Sequence, residues 1–209
     1  MKRLVLAAVA ISLALAPGIG AAAGPSGVGC TIEVRDDAIV GSARETEVRV
    51  GVPVLWRLTG SREHVIASEQ HLFRSPLLGR AVGDAVYWRR HFSAGYYVYY
   101  DARGKARGGA IAALPLIEQV AEGRFRAIWA TPLTNTGNAF AARWYLLRND
   151  AIRASGTWYA RTGVRSRTVA RGERLAPGAV LVRGDSLCVE ARSGLDGRWS
   201  EWANTCRIV

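Results

Sequence analysis

The sequence predicts an all-β protein built of two β-sandwich domains. Three observations predict it. Short runs rich in Val, Ile, Trp, Tyr and Thr alternate between apolar and polar positions. Gly and Pro punctuate the chain roughly every 8–12 residues, the spacing of sandwich strands. The 209 residues hold two domains of about 90 residues each once a leader is set aside.

The leader is "MKRLVLAAVAISLALA", with a basic start at Lys2 and Arg3 and an apolar run from Leu4 to Ala16. Small residues follow, with an A-x-A at Ala21 to Ala23. This is the pattern of a secretory signal over residues 1–23, cleaved near Ala22 or Ala23. The run is short for a bilayer span, and no later segment is apolar enough to make one. The expected location is extracytoplasmic, in the cell envelope or secreted.

Loss of Lys2 and Arg3 takes the net charge from +11 to +9. Lys105 is then the only lysine; the other cations are arginine. A basic exported protein can hold an anionic envelope polymer. The arginines are scattered, however, which an arginine-rich composition explains as well. No nucleic-acid-binding motif is present, so a nucleic-acid partner is not expected.

In the first half, strands are expected at 31–35, 46–60 (broken near Gly51-Val52-Pro53), 64–68, 85–92, 95–100 and 108–120. In "VPVLWRL", Val52, Val54, Trp56 and Leu58 share one face. In "GYYVYY", Tyr97 and Tyr99 share a face, as do Tyr96, Val98 and Tyr100. The tyrosines suit a sheet core with one wet face, or a platform on which a sugar stacks. Tyr97 and Tyr99 are therefore candidates for a binding surface.

A second block starts near Phe125, with strands expected at 125–132, 139–147, 156–162, 166–171, 179–184, 186–193 and 202–209. Turns are read at "TNTGN", "RND", "LAPG" and "GLDGR", and "LPLIEQVAEG" (114–123) is read as the joining segment. The domains are set at 30–118 and 122–209.

The three cysteines are Cys30, Cys188 and Cys206. Export permits a disulfide, and Cys188 and Cys206, each in an expected strand of the last segment, are the natural pair. Cys30 is left over: free, paired between chains, or lipid-bearing.

Residues 30–115 resemble the cupredoxin family, the Greek-key sandwich of plastocyanin and azurin. "GVPVLWRLTGSREHVIAS" is similar to the family's aromatic-bearing strand, turn and ligand histidine, which places His64 at that ligand. "FSAGYYVYYD" is similar to its F-x-x-G-x-Y-x-Y-C segment, and "GGAIAAL" to its closing strand. The resemblance implies copper held by a thiolate, two imidazoles and a thioether. In this chain those positions fall on Tyr100 for the cysteine, near Arg103 for the second histidine, and at Arg107 or Gly108 for the axial ligand. Of the family's ligands only His64 remains, and the sole methionine is Met1. A rebuilt copper site around His64 and His91, with Asp101 or Glu63, is the alternative; His71 is the third histidine. Otherwise no cofactor is expected.

Residues 122–209 resemble a fibronectin type III domain. "AIWATPLTNTG" is similar to its Trp-bearing early strand, with Trp129 as the core tryptophan. "LCVEARSGLDGRWSEWA" is similar to its penultimate strand, loop and start of the last strand, with Leu187 where a core tyrosine usually stands. "WSEW" puts Trp199 and Trp202 where Arg143, Arg192 or Arg198 can stack on them, the other candidate surface. "RGDS" (183–186) reads as a charged turn before a strand.

No nucleophile elbow, metal pair or phosphate loop is present, so an enzyme is not expected. The sequence reads as an exported, non-enzymatic binding or scaffold protein whose partner is a protein or an anionic envelope polymer. The alternatives are a copper or electron-transfer protein with an altered site at His64, and a hydrolase whose residues the sequence does not name.

Overall fold

A computed structural model describes residues 30–40, 46–79, 86–104, 108–134, 136–160 and 164–209. The expected signal segment and Arg107 lie outside the described residues. Among the described residues the ordered elements are all strands.

The first half contains β1 (Cys30–Val34), β2 (Ile39–Val40), β3 (Thr46–Arg49), β4 (Pro53–Leu58), β5 (Ile66–Ser68), β6 (Val86–His91), β7 (Gly95–Asp101) and β8 (Gly109–Leu114). They form two four-stranded sheets, ordered β2-β1-β4-β6 and β3-β8-β7-β5. β1 runs parallel to β4 and β3 parallel to β8; the other pairs are antiparallel. Period-2 alternation turns Trp56, Leu58, Tyr97, Tyr99 and Ile111 inward, where they pack with Phe73 and Phe92. Trp56 meets Tyr99 edge-on at 5.8 Å between ring centroids, an arrangement aromatic rings favour.

The second half contains β9 (Leu116–Ala121), β10 (Arg124–Ile128), β11 (Ala139–Arg148), β12 (Ala151–Ala160), β13 (Ser166–Ala170), β14 (Arg174–Ala176), β15 (Ala179–Val180), β16 (Ser186–Leu195), β17 (Arg198–Trp199) and β18 (Ala203–Ile208). One sheet is β13-β10-β9; the other is β12-β11-β16, continued by β17 and β18, which both pair with β16. Trp129, Trp144 and Trp158 fill the space between them. Leu187, in the place usually held by tyrosine, is fully buried.

The segment expected to join the halves is itself a strand. β9 pairs antiparallel with β10, and the expected strand at 108–120 divides at Pro115, which has no N–H for a ladder. The strand expected from Gly156 begins at Ala151 instead, directly after Asn149 and Asp150 at φ 50° and 59°. Two left-handed residues make a tight hairpin turn from β11 into β12, and the register shifts by a bulge between Leu146 and Leu147. The strand expected at 179–184 is short, and β14 pairs with it.

The halves meet across a dense seam. Tyr96 and Glu201 exchange main-chain hydrogen bonds of 3.0 and 3.2 Å. Ala94 N–H donates to Trp129 O at 2.7 Å. Val50 and Ala94 belong to the second core, while Leu195 packs on the first. At Gly95 (φ 151°) an added Cβ would stand 2.1 Å from Ser200 Oγ, so the bare glycine makes room for the Ser200 side chain.

Candidate functional site

His64 follows β4 at the end of the first sandwich where β1 also ends. Its main chain is clamped by two hydrogen bonds to Leu78, at 3.0 and 2.9 Å. Its imidazole is fully buried. Nδ1 lies 2.9 Å from Asp101 Oδ2, whose side chain is also fully buried. Asp101 Oδ1 accepts from the amides of Val65 at 3.1 Å and Arg103 at 3.0 Å. Burial pushes the Asp101 carboxyl up, but those amides and the imidazole outweigh it and hold it below its ordinary value. On the far side of the ring, Nε2 lies 4.0 Å from Asp36 Oδ1. That oxygen already accepts the Arg62 amide at 2.8 Å, and Oδ2 accepts Ser61 Oγ at 2.9 Å.

The residue facing His64 is thus Asp101, where the resemblance pointed to Tyr100. The reason is the strand period. Gly95, Tyr97, Tyr99 and Asp101 alternate inward along β7, which leaves Tyr100 half-buried on the other face. Arg103 turns outward and pairs with Glu63. Gly108 is held by packing: a Cβ there would stand 1.5 Å from Tyr99 O.

His64 and His91 are not brought together. His91 pairs with Pro53 at the start of β4, whereas His64 lies beyond its last residue, Leu58, so the length of the strand separates them. His71 occupies a turn at φ 55° and is exposed. Among the described residues no three His, Cys, Asp or Glu side chains are grouped to hold a metal. The donors around His64 do not fit a copper centre: thiolate and thioether are lacking, and Asp101 spends its oxygens on Nδ1 and two amides.

Tyr97 and Tyr99 are buried at 0% and 1% exposure, so neither can serve as a binding surface. The inner face of β7 looks into the core and the seam. The Tyr97 hydroxyl bonds Ser193 Oγ and donates to Ser93 O at 2.9 Å. Ser93 Oγ lies 2.8 Å from Thr136 Oγ1. Burial raises the Tyr97 phenol's pKa, against the lowering effect of these hydroxyls.

Trp199 and Trp202 are half-buried on the outer face of the β11-β16-β18 sheet. Arg192 lies over both rings, 4.8 and 4.6 Å from their centroids, and Arg143 lies 4.1 Å from that of Trp202. Of the three arginines proposed for this stack, Arg143 and Arg192 are used. A Cβ on Gly194 would stand 2.8 Å from the Trp199 ring, so the bare glycine makes room for the indole. Burial, then the charge of Arg143, pulls the Arg192 guanidinium below its usual value. Among the described residues no carboxylate pairs with either arginine. Cys188 and Cys206 form a disulfide on this face; Cys30 is a free, half-buried thiol.

Sequence reasoning missed a groove along the seam. One part, of about 280 Å³, is lined by Glu47, Tyr96, Leu114, Trp202 and Asn204 among others. The next, of about 300 Å³, runs on past Leu114 to Arg49, Cys206 and Arg207. The signal lay in the mostly exposed residues of β18, but the opposite wall comes from β3, β8 and β9 and no local pattern reveals it.

No family model matches the chain, and no curated protein does. Among solved structures the chain is similar to a purple cupredoxin from Nitrosopumilus maritimus, with 24% identity, 40% of this chain and 98% of that chain covered, and a TM-score of 0.33. It is similar to a two-domain fibronectin type III segment of chicken tenascin, with 11% identity, coverage of 70% and 83%, and a TM-score of 0.32. It is also similar to a multicopper oxidase, with 9% identity, coverage of 83% and 87%, and a TM-score of 0.29. The neighbours thus include both fold types that the sequence resembles.

Proposed function

We propose that the chain is an exported, non-enzymatic binding or scaffold protein that works through its outer surface and carries no metal. The observation that carries this reading is the use made of His64. Its Nδ1 is held by a buried Asp101 whose other oxygen is committed to main-chain amides. A buried, hydrogen-bonded imidazole–carboxylate pair of this kind closes one end of the sandwich and anchors two loops. What faces solvent is a pair of arginines over tryptophan and the groove between the halves. The partner in this reading is a protein or an anionic envelope polymer.

Two measurements on protein purified from an exporting host test it. Mass spectrometry should find a mature N-terminus just after Ala22 or Ala23. Elemental analysis should find copper and zinc far below one equivalent. Equimolar metal, or retention of the leader inside the cell, contradicts the reading.

A further inference from the structure

We propose that the seam groove receives an extended acidic peptide segment of a partner protein, added as a strand to the free edge of β18. The inference rests on the surface-binding reading above and names its partner. β18 pairs with β16 on one side only. Cys188 and Cys206 stand opposite one another with Cα atoms 3.9 Å apart, the close spacing of a non-hydrogen-bonded antiparallel pair. Cys206, and with it Asn204 two residues earlier, therefore turn N–H and C=O away from β16 and toward the groove. Among the described residues no further strand pairs there. A row of main-chain donors and acceptors beside a cleft is the setting in which a peptide adds as a strand.

The groove follows β18 from Trp202 to Arg207, about 17 Å at strand rise, which is the length of an extended five- or six-residue segment. Its ends are cationic. Arg143 and Arg192 stand at Trp202. At the other end are the exposed Arg49 and Arg207, the latter donating to Ile117 O at 3.1 Å. Among the described residues no carboxylate lies within ion-pair distance of any of these four arginines. The carboxylate on the walls is Glu47, in the part that holds Trp202 and Asn204. With four arginines against one carboxylate, charge complementarity selects an acidic segment.

The probe is a fluorescein-labelled nonapeptide, Glu-Val-Glu-Val-Thr-Val-Glu-Val-Glu, titrated into the full mature chain and read by anisotropy. Saturable binding is expected. N-methylation of alternate amides on the edge-facing register should weaken it by about tenfold or more. Arg49→Glu with Arg207→Glu should weaken it similarly, and Glu47→Gln should tighten it. Backbone chemical shifts of Asn204 and Cys206 should move on titration. No saturable binding, or binding indifferent to N-methylation in both registers, overturns the proposal. So does an alginate or heparin oligosaccharide that competes the peptide away while itself shifting the same amides more strongly. Failure of the peptide leaves the metal-free surface reading standing, whereas bound metal would sink that reading without touching the peptide result.

Discussion

The Tyr97 phenol of β7 meets the Ser193 hydroxyl of β16 across the seam, two fully buried groups separated by 96 residues of chain. The pair fastens one sandwich to the other. Around it Ser93, Thr136 and the Tyr96–Glu201 bridge continue the same network.

Tyr97→Phe removes one hydroxyl and leaves Ser193 short of a partner in a dry place. The expected cost is about 1–3 kcal/mol. Urea unfolding of wild type should show one transition for both halves, and the variant should lower its midpoint or split it in two. An unchanged midpoint would show that the seam adds nothing.

Gly95→Ala sets a methyl group against Ser200, at a backbone angle of 151°. The loss should exceed the roughly 1 kcal/mol of an ordinary glycine substitution at strained backbone. Ser200→Gly in the same chain should recover part of it. Thermal melts of the two variants measure both effects.

Acid stability carries a sign that the structure fixes. The folded state holds Asp101 below the carboxyl value of 3.8, against burial, through the amides of Arg103 and Val65 and through His64. Asp185 is likewise lowered, chiefly by its hydrogen bonds to Arg148. The unfolded chain binds more protons there, so this stability is complete above pH 3.8 and drains away as pH falls through the folded values. His91 acts earlier: burial and then Arg89 lower it from 6.5, so its contribution fades as pH falls below that value. Denaturant midpoints between pH 7 and pH 2 should fall in two stages, and Asp101→Asn should flatten the second, at a cost in stability at neutral pH.

Reducing the Cys188–Cys206 bridge opens a loop closed over a separation of 18 residues. The chain-entropy cost is about 3 kcal/mol. A Cys188→Ala, Cys206→Ala chain should melt correspondingly lower while keeping the same far-ultraviolet circular dichroism.

Much of the fold was legible because its strands obey a period of two. Trp56 and Leu58, Trp129 and Trp144 face inward as alternation requires. The same rule, carried two residues beyond Tyr99, points to Asp101; counting from the Phe92 anchor of a family pattern points to Tyr100 instead. Alternation also groups Tyr97 with Tyr99 without saying which face is covered, and the answer depends on Ser193 and Thr136 in the other half. β9 was hidden because "AIAALPLI" (110–117) is continuously apolar, and only Pro115 marks where one sheet ends and the next begins. β2 and β17, two residues each, are too short to show any period. The seam groove is built from β3, β8, β9 and β18, and no local stretch of sequence contains it.

The central claim is that His64 serves structure and leaves the chain without a metal. It is tested most directly by isothermal titration of the mature protein with Cu(II), beside a His64→Gln chain that is confirmed folded. Heat indistinguishable from dilution in both is the predicted result. One equivalent of copper bound tightly by the wild type and lost in His64→Gln would contradict it.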